Sequence, residues 1–444
     1  VPDEPRIART LAALDVLGAA PAGPPSALYV PGRIEVLGKH TDYAGGRSLL
    51  VASRQGLCVC FRARDDGLLR VVDATRGLEA EIEIACEMPA VGGWRNYLVT
   101  VARRLAANFP ARDGSSLRGA DVAFTSDLPR AAGMSSSSAL VVATYLVLAA
   151  VNALADRREH RRAIASPEQL GEYLGCVENG LDFGSLAGEA GVGTFGGSED
   201  QTAILCSRRG ELRQYSYSPI RHERTLVMPP GLVFAVADSG VSAEKTGAAR
   251  AAYNRASRLA SGIAEAWREA TGRDEPHAAA ILALGSGARR RLDSILAGWS
   301  SEEFSGEELA RRFEHFATES EEIVPEAGAA LAAGDLDRFG ALVDRSQRGA
   351  ERLLDNQIPE TRSLARAARE LGARAASAFG AGFGGSVWAL VERERAEPFL
   401  DSWRGCYLGE FPRRAGARFL VTEAADGARP LEVGSAGGGT SAAR

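Results

Sequence analysis

Residues Asp127–Leu140 read DLPRAAGMSSSSAL, a glycine turn that runs through four serines into an apolar helix. Gly133 and its small neighbours, with Met134 after it, let backbone approach a ligand closely. Ser135, Ser136, Ser137 and Ser138 open a helix whose first N–H groups have no partner within it. Those donors and the positive end of the helix form an anion site suited to nucleotide phosphate. The serine hydroxyls can add phosphate hydrogen bonds or a ligand to Mg2+. The spacing is not GxxxxGK[ST], so this is not a Walker A loop. A second cluster, Phe379–Val391 (FGAGFGGSVWALV), carries Gly380, Gly382, Gly384 and Gly385. A strand follows these glycines, the reverse of the strand–glycine–helix order of a dinucleotide-binding turn. A third segment, Pro31–Leu50 (PGRIEVLGKHTDYAGGRSLL), sets small residues among polar groups able to hold phosphate or hydroxyls.

These segments need elements to position them. Residues 28–37 read as a strand entering the glycine-rich turn. Further strands are expected over 49–62 and within 68–84, with Asp65-Asp66-Gly67 as a turn between them. The spacing of apolar residues predicts a helix over 94–109. A short strand at 121–126 precedes the serine-capped helix 135–155. Another helix is expected over 166–184, opened by Ser166-Pro167-Glu168, with strands near 202–206 and 212–217. Met228-Pro229-Pro230-Gly231 marks a boundary, dividing 1–228 from 229–434. Beyond it come a buried strand (232–237), a helix over 245–269 broken near Ser261-Gly262, several helices in 277–376, and strands at 386–392 and 418–422. The tail 435–444, rich in Gly, Ser and Ala, reads as disordered. Strands and helices mixed in two halves indicate an α+β fold.

Composition narrows the function. The chain of 444 residues has a net charge of −5, so no general nucleic-acid surface is implied. Six cysteines without CxxC spacing read as reduced thiols, and five histidines form no zinc-like pair. The longest apolar stretch, 139–151, is short of the roughly 20 residues that span a bilayer. The first residues, VPDEPRIART, hold no apolar run of a signal peptide. A cytoplasmic enzyme, monomeric or homodimeric, with no membrane partner is expected. Of 52 basic residues only Lys39 and Lys245 are lysine. Where arginine is the default, a lysine can mark a need for a compact ammonium.

Together the three segments resemble the motifs of the GHMP small-molecule kinases, the family of galactokinase, homoserine kinase, mevalonate kinase and phosphomevalonate kinase. Asp127–Leu140 is similar to the phosphate motif PxxxGLSSSAAL, with Met134 in the Leu place. Phe379–Val391 is similar to the third motif, GAGxGGxxxxLV. Pro31–Gly46 resembles the galactokinase signature PGRxNLIGEHTDYxGG, which narrows the likeness to that branch and argues against mevalonate or homoserine. Gly193–Gln201 (GTFGGSEDQ) resembles GxxCGIMDQ. The resemblance implies a two-domain fold with the active site in the cleft. ATP lies over Gly133–Ser138, with Gly382 and Gly384 beside it. Asp200 orients or deprotonates the acceptor hydroxyl, and Arg33 stabilises the transferring phosphoryl group. Lys39, His40, Asp42, Gly197 and Tyr253 contact the sugar. Glu178, in Val177-Glu178-Asn179, is favoured over Glu189 as the Mg2+ carboxylate, with Ser137 as a second ligand.

Two departures stand out: Glu35 replaces the usual Asn, and Lys39 replaces the Glu of GEHTDY. In galactokinases that Glu contacts the hydroxymethyl end of the sugar. An ammonium cannot accept a hydrogen bond. Either the substrate carries an acceptor or negative charge there, or the site has turned, and a substrate other than plain galactose, such as an anionic sugar or a cyclitol, is expected. The expected activity is ATP-dependent phosphorylation of a monosaccharide, giving a sugar 1-phosphate. A uronic acid, pentose or cyclitol substrate and a catalytically silent sugar sensor are the alternatives.

Overall fold

Two sheets carry the chain. The computed structural model describes residues 2–18, 23–111, 116–129, 132–242 and 247–433, without the side chains of 247–249. Lys245 and the tail 435–444 lie outside the described residues. In chain order the strands are β1 (Ser26–Leu37), β2 (Arg47–Ala63), β3 (Leu68–Asp73), β4 (Leu78–Glu83), β5 (Ala120–Ser126), β6 (Glu211–Ser216), β7 (Arg221–Val227), β8 (Leu232–Asp238), β9 (Ala375–Phe379), β10 (Ser386–Glu392), β11 (Arg418–Thr422) and β12 (Arg429–Leu431). The first sheet runs β12-β1-β2-β5-β3-β4, with β6 on β2 and β7 on β6. Its pairs are antiparallel except β3 with β5. The second sheet runs β11-β8-β10-β9, all antiparallel.

The first seven helices are α1 (Glu4–Val16), α2 (Arg95–Asn108), α3 (Ser136–Val151), α4 (Arg158–Ala163), α5 (Pro167–Asn179), α6 (Glu199–Cys206) and α7 (Gly247–Thr271). Helix α3 is apolar nearly all round, as a helix buried on all sides must be. Helix α5 starts where Ser166 Oγ accepts from Gln169 N, with Pro167 in the first turn. It stops at Gly180, whose φ of +88° takes the left-handed C-terminal position. The helix expected to run to 184 therefore ends at Asn179.

Strand alternation divides the core. Phe234, Val236 and Trp388 join the same apolar cluster as Val30, Val59 and Val141, so the two sheets share a core. The opposite face of the second sheet, with Val233, Ala237 and Val387, packs on Trp403 and Leu364.

Three expectations are corrected. Residues 202–206 are not a strand but the end of α6. Their apolar, partly β-branched run is buried, and the helix opens with Glu199 and Asp200 at its positive end. Helix α7 runs unbroken through Ser261-Gly262. A Cβ on Gly262 would lie 3.2 Å from Leu309 and 3.4 Å from Phe304, so this glycine serves close packing. Finally, Met228 does separate the strands of the two sheets, but the chain comes back: β12 pairs with β1, Ala27 facing Leu431. Leu431 and Val433 pack on the cluster of Leu14, Ala27 and Cys60.

Deleting residues 429–444 should thus uncover the edge of β1 and lower the melting temperature by a few degrees. Thermal unfolding followed by circular dichroism checks this; an unchanged midpoint would mean that β12 adds nothing.

Candidate active site

Strand β1 is the spine of the site. Its register against β2 shifts between Pro31 and Arg33 and again between Glu35 and Leu37. Such irregularities bend a strand and re-aim its side chains. Arg33 and Glu35, two apart, share one face and line a cavity of about 50 Å3. Gly32 allows the approach to the serine turn, since a Cβ there would lie 2.7 Å from Met134 O.

Across the cavity stands the start of α6. Asp200 Oδ1 accepts from Arg33 Nε at 2.7 Å and lies 2.7 Å from Nη2. Its Oδ2 lies 3.2 Å from Ser138 Oγ, whose single hydroxyl hydrogen is shared between this carboxylate and that of Glu178. Arg33 Nη1 donates to Gly133 O, tying the guanidinium to the serine turn. Burial alone would lower the pKa of Arg33, but Asp200, then Glu199 and Glu35, raise it. Asp200 thereby accepts charge-assisted hydrogen bonds from a buried guanidinium.

The serine turn has the features of an anion cradle. Ser135 takes φ +56° ahead of the first turn of α3, and its Oγ is buried with no hydrogen-bond partner among the described residues. Ser136 and Ser137 are half-buried in the first turn. Gly133 has φ +75°, and a Cβ on it would come 3.1 Å from Phe379 O. The two glycine segments therefore pack backbone to backbone. Met134, expected with the ligand, is instead a core residue. Gly382 and Gly384 do not line the cavity. A Cβ on Gly382 would strike Asn356 at 2.5 Å, and one on Gly384 would meet Val241 O at 2.8 Å. They allow tight turns, while Gly380 and Ala381 face the cavity.

Of the two candidate metal carboxylates, Glu178 lines the cavity. Its Oε2 accepts from Ser138 Oγ at 2.9 Å and from Gln201 Nε2 at 2.7 Å. Glu189 is 3.0 Å from Arg103 Nε, away from the cavity. The serine whose hydroxyl meets Glu178 is Ser138, one place beyond the expected Ser137.

The 38–46 loop forms the other wall. Asp42 Oδ2 accepts from Glu199 N at 3.1 Å. Gly197 must lack a Cβ, which would fall 2.3 Å from Asp42 Oδ2. His40 takes φ +57°; its Nδ1 meets Tyr43 Oη at 2.8 Å and its Nε2 meets Ala381 O at 3.0 Å. Tyr253 packs on His40 with ring centroids 5.4 Å apart. His40, Asp42, Gly197 and Tyr253 all line the cavity.

Lys39, expected at the sugar, does not line it. The side chain is 1% exposed and points behind the loop, where Nζ donates to Ser346 Oγ at 3.1 Å. Ser346 Oγ donates in turn to Glu319 Oε1, which also accepts from Gly38 N. A buried ammonium needs such partners more than a ligand contact supplies them.

Sequence reasoning missed Asn179, Thr194, Gln201 and above all Glu199 as cavity residues. Glu199, Asn179 and Gln201 lay inside quoted motifs, so the signal was present. Glu35 and Glu199 face one another, and a carboxyl–carboxyl contact becomes a hydrogen bond only when one holds a proton. Burial, with Asp42 and Glu35 adding to it, pushes Glu199 well up. Burial also pushes Glu35 up to about 7, against the pull of Lys39 and Arg33.

Glu35 thus holds its proton in the folded chain above its ordinary value of 4.5. From there to about 7 the folded state binds more protons than the unfolded one, so stability falls as pH rises. Glu35→Gln, neutral throughout, should gain more in melting temperature over the parent at pH 8 than at pH 5. Equal gains at both would refute the raised pKa.

Comparison with known proteins agrees with this geometry. The family model for the GHMP kinases N terminal domain matches residues 96–207, and that for GHMP kinases C terminal matches 329–408. The galactokinase galactose-binding signature matches 20–63. A galactokinase of Roseiflexus sp. (strain RS-1) is 29% identical over 422 residues, covering 90% of this chain and 94% of its own. One of Glaesserella parasuis is 26% identical over 411 residues, covering 90% and 94%. In fold, Lactococcus lactis galactokinase complexed with galactose superposes with a TM-score of 0.75 at 22% identity, covering 96% of this chain and 99% of its own. The mevalonate kinase of Methanococcus jannaschii gives 0.56 at 12% identity, covering 91% and 100%. With N-terminal, C-terminal and galactose-binding models matching in order along one chain, this protein belongs to the GHMP kinases, on their galactokinase-like branch.

Proposed function

We propose that the chain transfers the terminal phosphoryl group of ATP to a hydroxyl of a monosaccharide, with galactose as the first candidate. One observation carries this reading: the Asp200 carboxylate, held by Arg33 and Ser138, faces the cavity that Asp42 and His40 wall on the far side. Asp200 is positioned to orient the acceptor hydroxyl and to take its proton as the new bond forms. Phosphoryl transfer needs positioning and charge compensation more than covalent help. Arg33 supplies a fixed positive charge beside the reacting centre. The sugar 1-phosphate is the product that the galactokinase likeness favours.

The residues fit a nucleotide and a magnesium ion. The partnerless Ser135 Oγ and the first N–H groups of α3 suit phosphate oxygens. Glu178 and Ser138 offer the hard oxygen ligands that Mg2+ prefers. Bound there, the ion would neutralise charge on the phosphates. Gln201 fixes the Glu178 carboxylate for that task.

A coupled assay of ADP release with galactose and Mg-ATP tests the proposal. Asp200→Asn should lower kcat by roughly 10²–10⁴-fold with little change in KM. Activity within a factor of about two of the parent would remove Asp200 from the chemistry. Gly197→Ala, which drives a Cβ into Asp42, should raise the sugar KM by at least about tenfold and spare nucleotide binding. An unchanged sugar KM would count against Asp42 as a sugar ligand.

A further inference from the structure

Residues 192–197 carry the wall of the cavity from Glu178, at the end of α5, to Asp42. Three of them line it: Thr194, Gly196 and Gly197. Of these, Thr194 alone brings a side chain. A Cβ on Gly196 would lie 2.6 Å from Tyr253 Oη, and the place of one on Gly197 is taken by Asp42. Thr194 is 2% exposed, and it offers a hydroxyl, able to give and take a hydrogen bond, beside a methyl group. A carbon of a sugar ring presents a matching pair, a hydroxyl beside a C–H.

This strip is tied at three points. Val192 N donates to Glu178 O at 2.8 Å, and Asn179 Nδ2 donates to Gly196 O at 2.8 Å. The third tie is Asn254, on α7. Its Nδ2 donates to Gly193 O and its Oδ1 accepts from Phe195 N, both at 3.0 Å. Those two backbone groups flank Thr194, so the amide bonds the edge of the strip as a neighbouring strand would. An extended residue holds its side chain across such an edge, so the clamp sets the direction of Thr194 through the backbone. Gly193, at φ +91°, lets the chain turn into the strip. Helix α7 has its own seat: Ala260 and Ile263 pack in one cluster with Ala44 of the 38–46 loop. Tyr253, next to Asn254, lines the cavity. One helix thus orders two walls.

We infer that Thr194 is a specificity residue in contact with the sugar, and that Asn254 is the positioning residue that aims it. This rests on the reading of the cavity as a sugar site. Thr194 falls on the acceptor side because the residues that follow it, Gly196 and Gly197, abut Tyr253 and Asp42 rather than the serine turn. Asn254 acts from outside the lining, by one donor and one acceptor on the backbone either side of Thr194. A clamp with a merely structural role would change stability and leave the two substrates equally affected.

The test is a double-mutant cycle read by sugar binding. Galactose, arabinose, galacturonate and inositol are titrated into the parent by calorimetry, and the tightest becomes the probe. Thr194→Val, which keeps the shape and removes the hydroxyl, should weaken the probe by roughly three- to tenfold. Thr194→Ser, which keeps the hydroxyl, should recover most of that loss. Asn254→Ala should weaken the probe by a similar factor, and Thr194→Val made on top of it should cost less than about twofold more, because a misaimed hydroxyl has nothing left to lose. The sugar KM, from ADP release with Mg-ATP, should rise with these losses while the ATP KM stays within about a factor of two. Circular dichroism establishes that each variant is folded. Asn254→Asp, which keeps the acceptor for Phe195 N and loses the donor to Gly193 O, takes the place of the alanine variant if that one is not. Parent-like binding by Thr194→Val, additive losses in the double variant, or a shift in the ATP KM instead of the sugar KM overturns the inference. So does a failure of all four compounds to bind. If the cycle couples but no ADP appears, the kinase reading falls and the roles of Thr194 and Asn254 stand.

Discussion

The buried guanidinium of Arg33 is the constraint around which the rest is arranged. Taking a cation out of water costs several kcal/mol unless its partners are well placed. Here they come from three parts of the chain: the Asp200 carboxylate at the head of α6, the Gly133 carbonyl, and the face of the Phe379 ring 5.9 Å away. Strand β1, the serine turn and the β9 edge are thus drawn to one point. Withdrawing a partner from such a pair leaves a buried charge, at a cost of roughly 3–5 kcal/mol. The same contacts aim the Asp200 carboxylate into the cavity, so the interaction that holds the fold together here also shapes the candidate site.

A second network holds the opposite wall from behind. The loop Gly38–Gly46 is pinned by groups near residues 312–346 in sequence. Arg312 donates to His40 O, Glu319 accepts from Gly38 N, and Ser320 Oγ accepts from Arg47 N. Glu319 and Ser320 lie in a π-helical stretch, Thr318–Ile323. Wider turns of this kind shift side chains out of α-helical register and recur where geometry must be exact to the site. A fully partnered buried network is rigid, and the strained backbone of His40 is maintained by it. The stretch 312–346 therefore acts on this wall by fixing the loop that carries Asp42, while Tyr253 on α7 lines the cavity itself.

How much of this could be read in the sequence follows from the range of the forces involved. Glycine turns, serine caps and strand alternation depend on near neighbours, so the serine turn, β1, β8 and β10 lie where the pattern puts them. That Asp200 and Glu178 line the cavity was legible through the Asp-Gln and Glu-Asn pairs. The strand assigned to 202–206 failed because a short apolar run fits a strand or a buried helix alike. Packing on α5 decides it. The break assigned at Gly262 failed because a glycine inside a helix can serve a neighbour's side chain as well as a bend. The direction of Lys39 was beyond local reasoning: its partner, Ser346, is 307 positions away in the chain.

Glu35, Lys39 and Glu199 make sense only as a set. Each alone would be a costly buried charge. Lys39 and Arg33 pull the Glu35 carboxyl toward ionisation, while burial and the neighbouring Glu319 push it the other way. Burial pushes both Glu35 and Glu199 up, so the pair takes up protons more readily than free carboxylates do and can both give and take a hydrogen bond. The ammonium behind the wall limits the electrostatic cost from outside the cavity lining. Reading Lys39 by its residue type alone gives an anion site; where its nitrogen lies gives a buried brace on Ser346. The character of a pocket is set by which atoms reach it, and the Lys39 ammonium is not among the atoms that do so here.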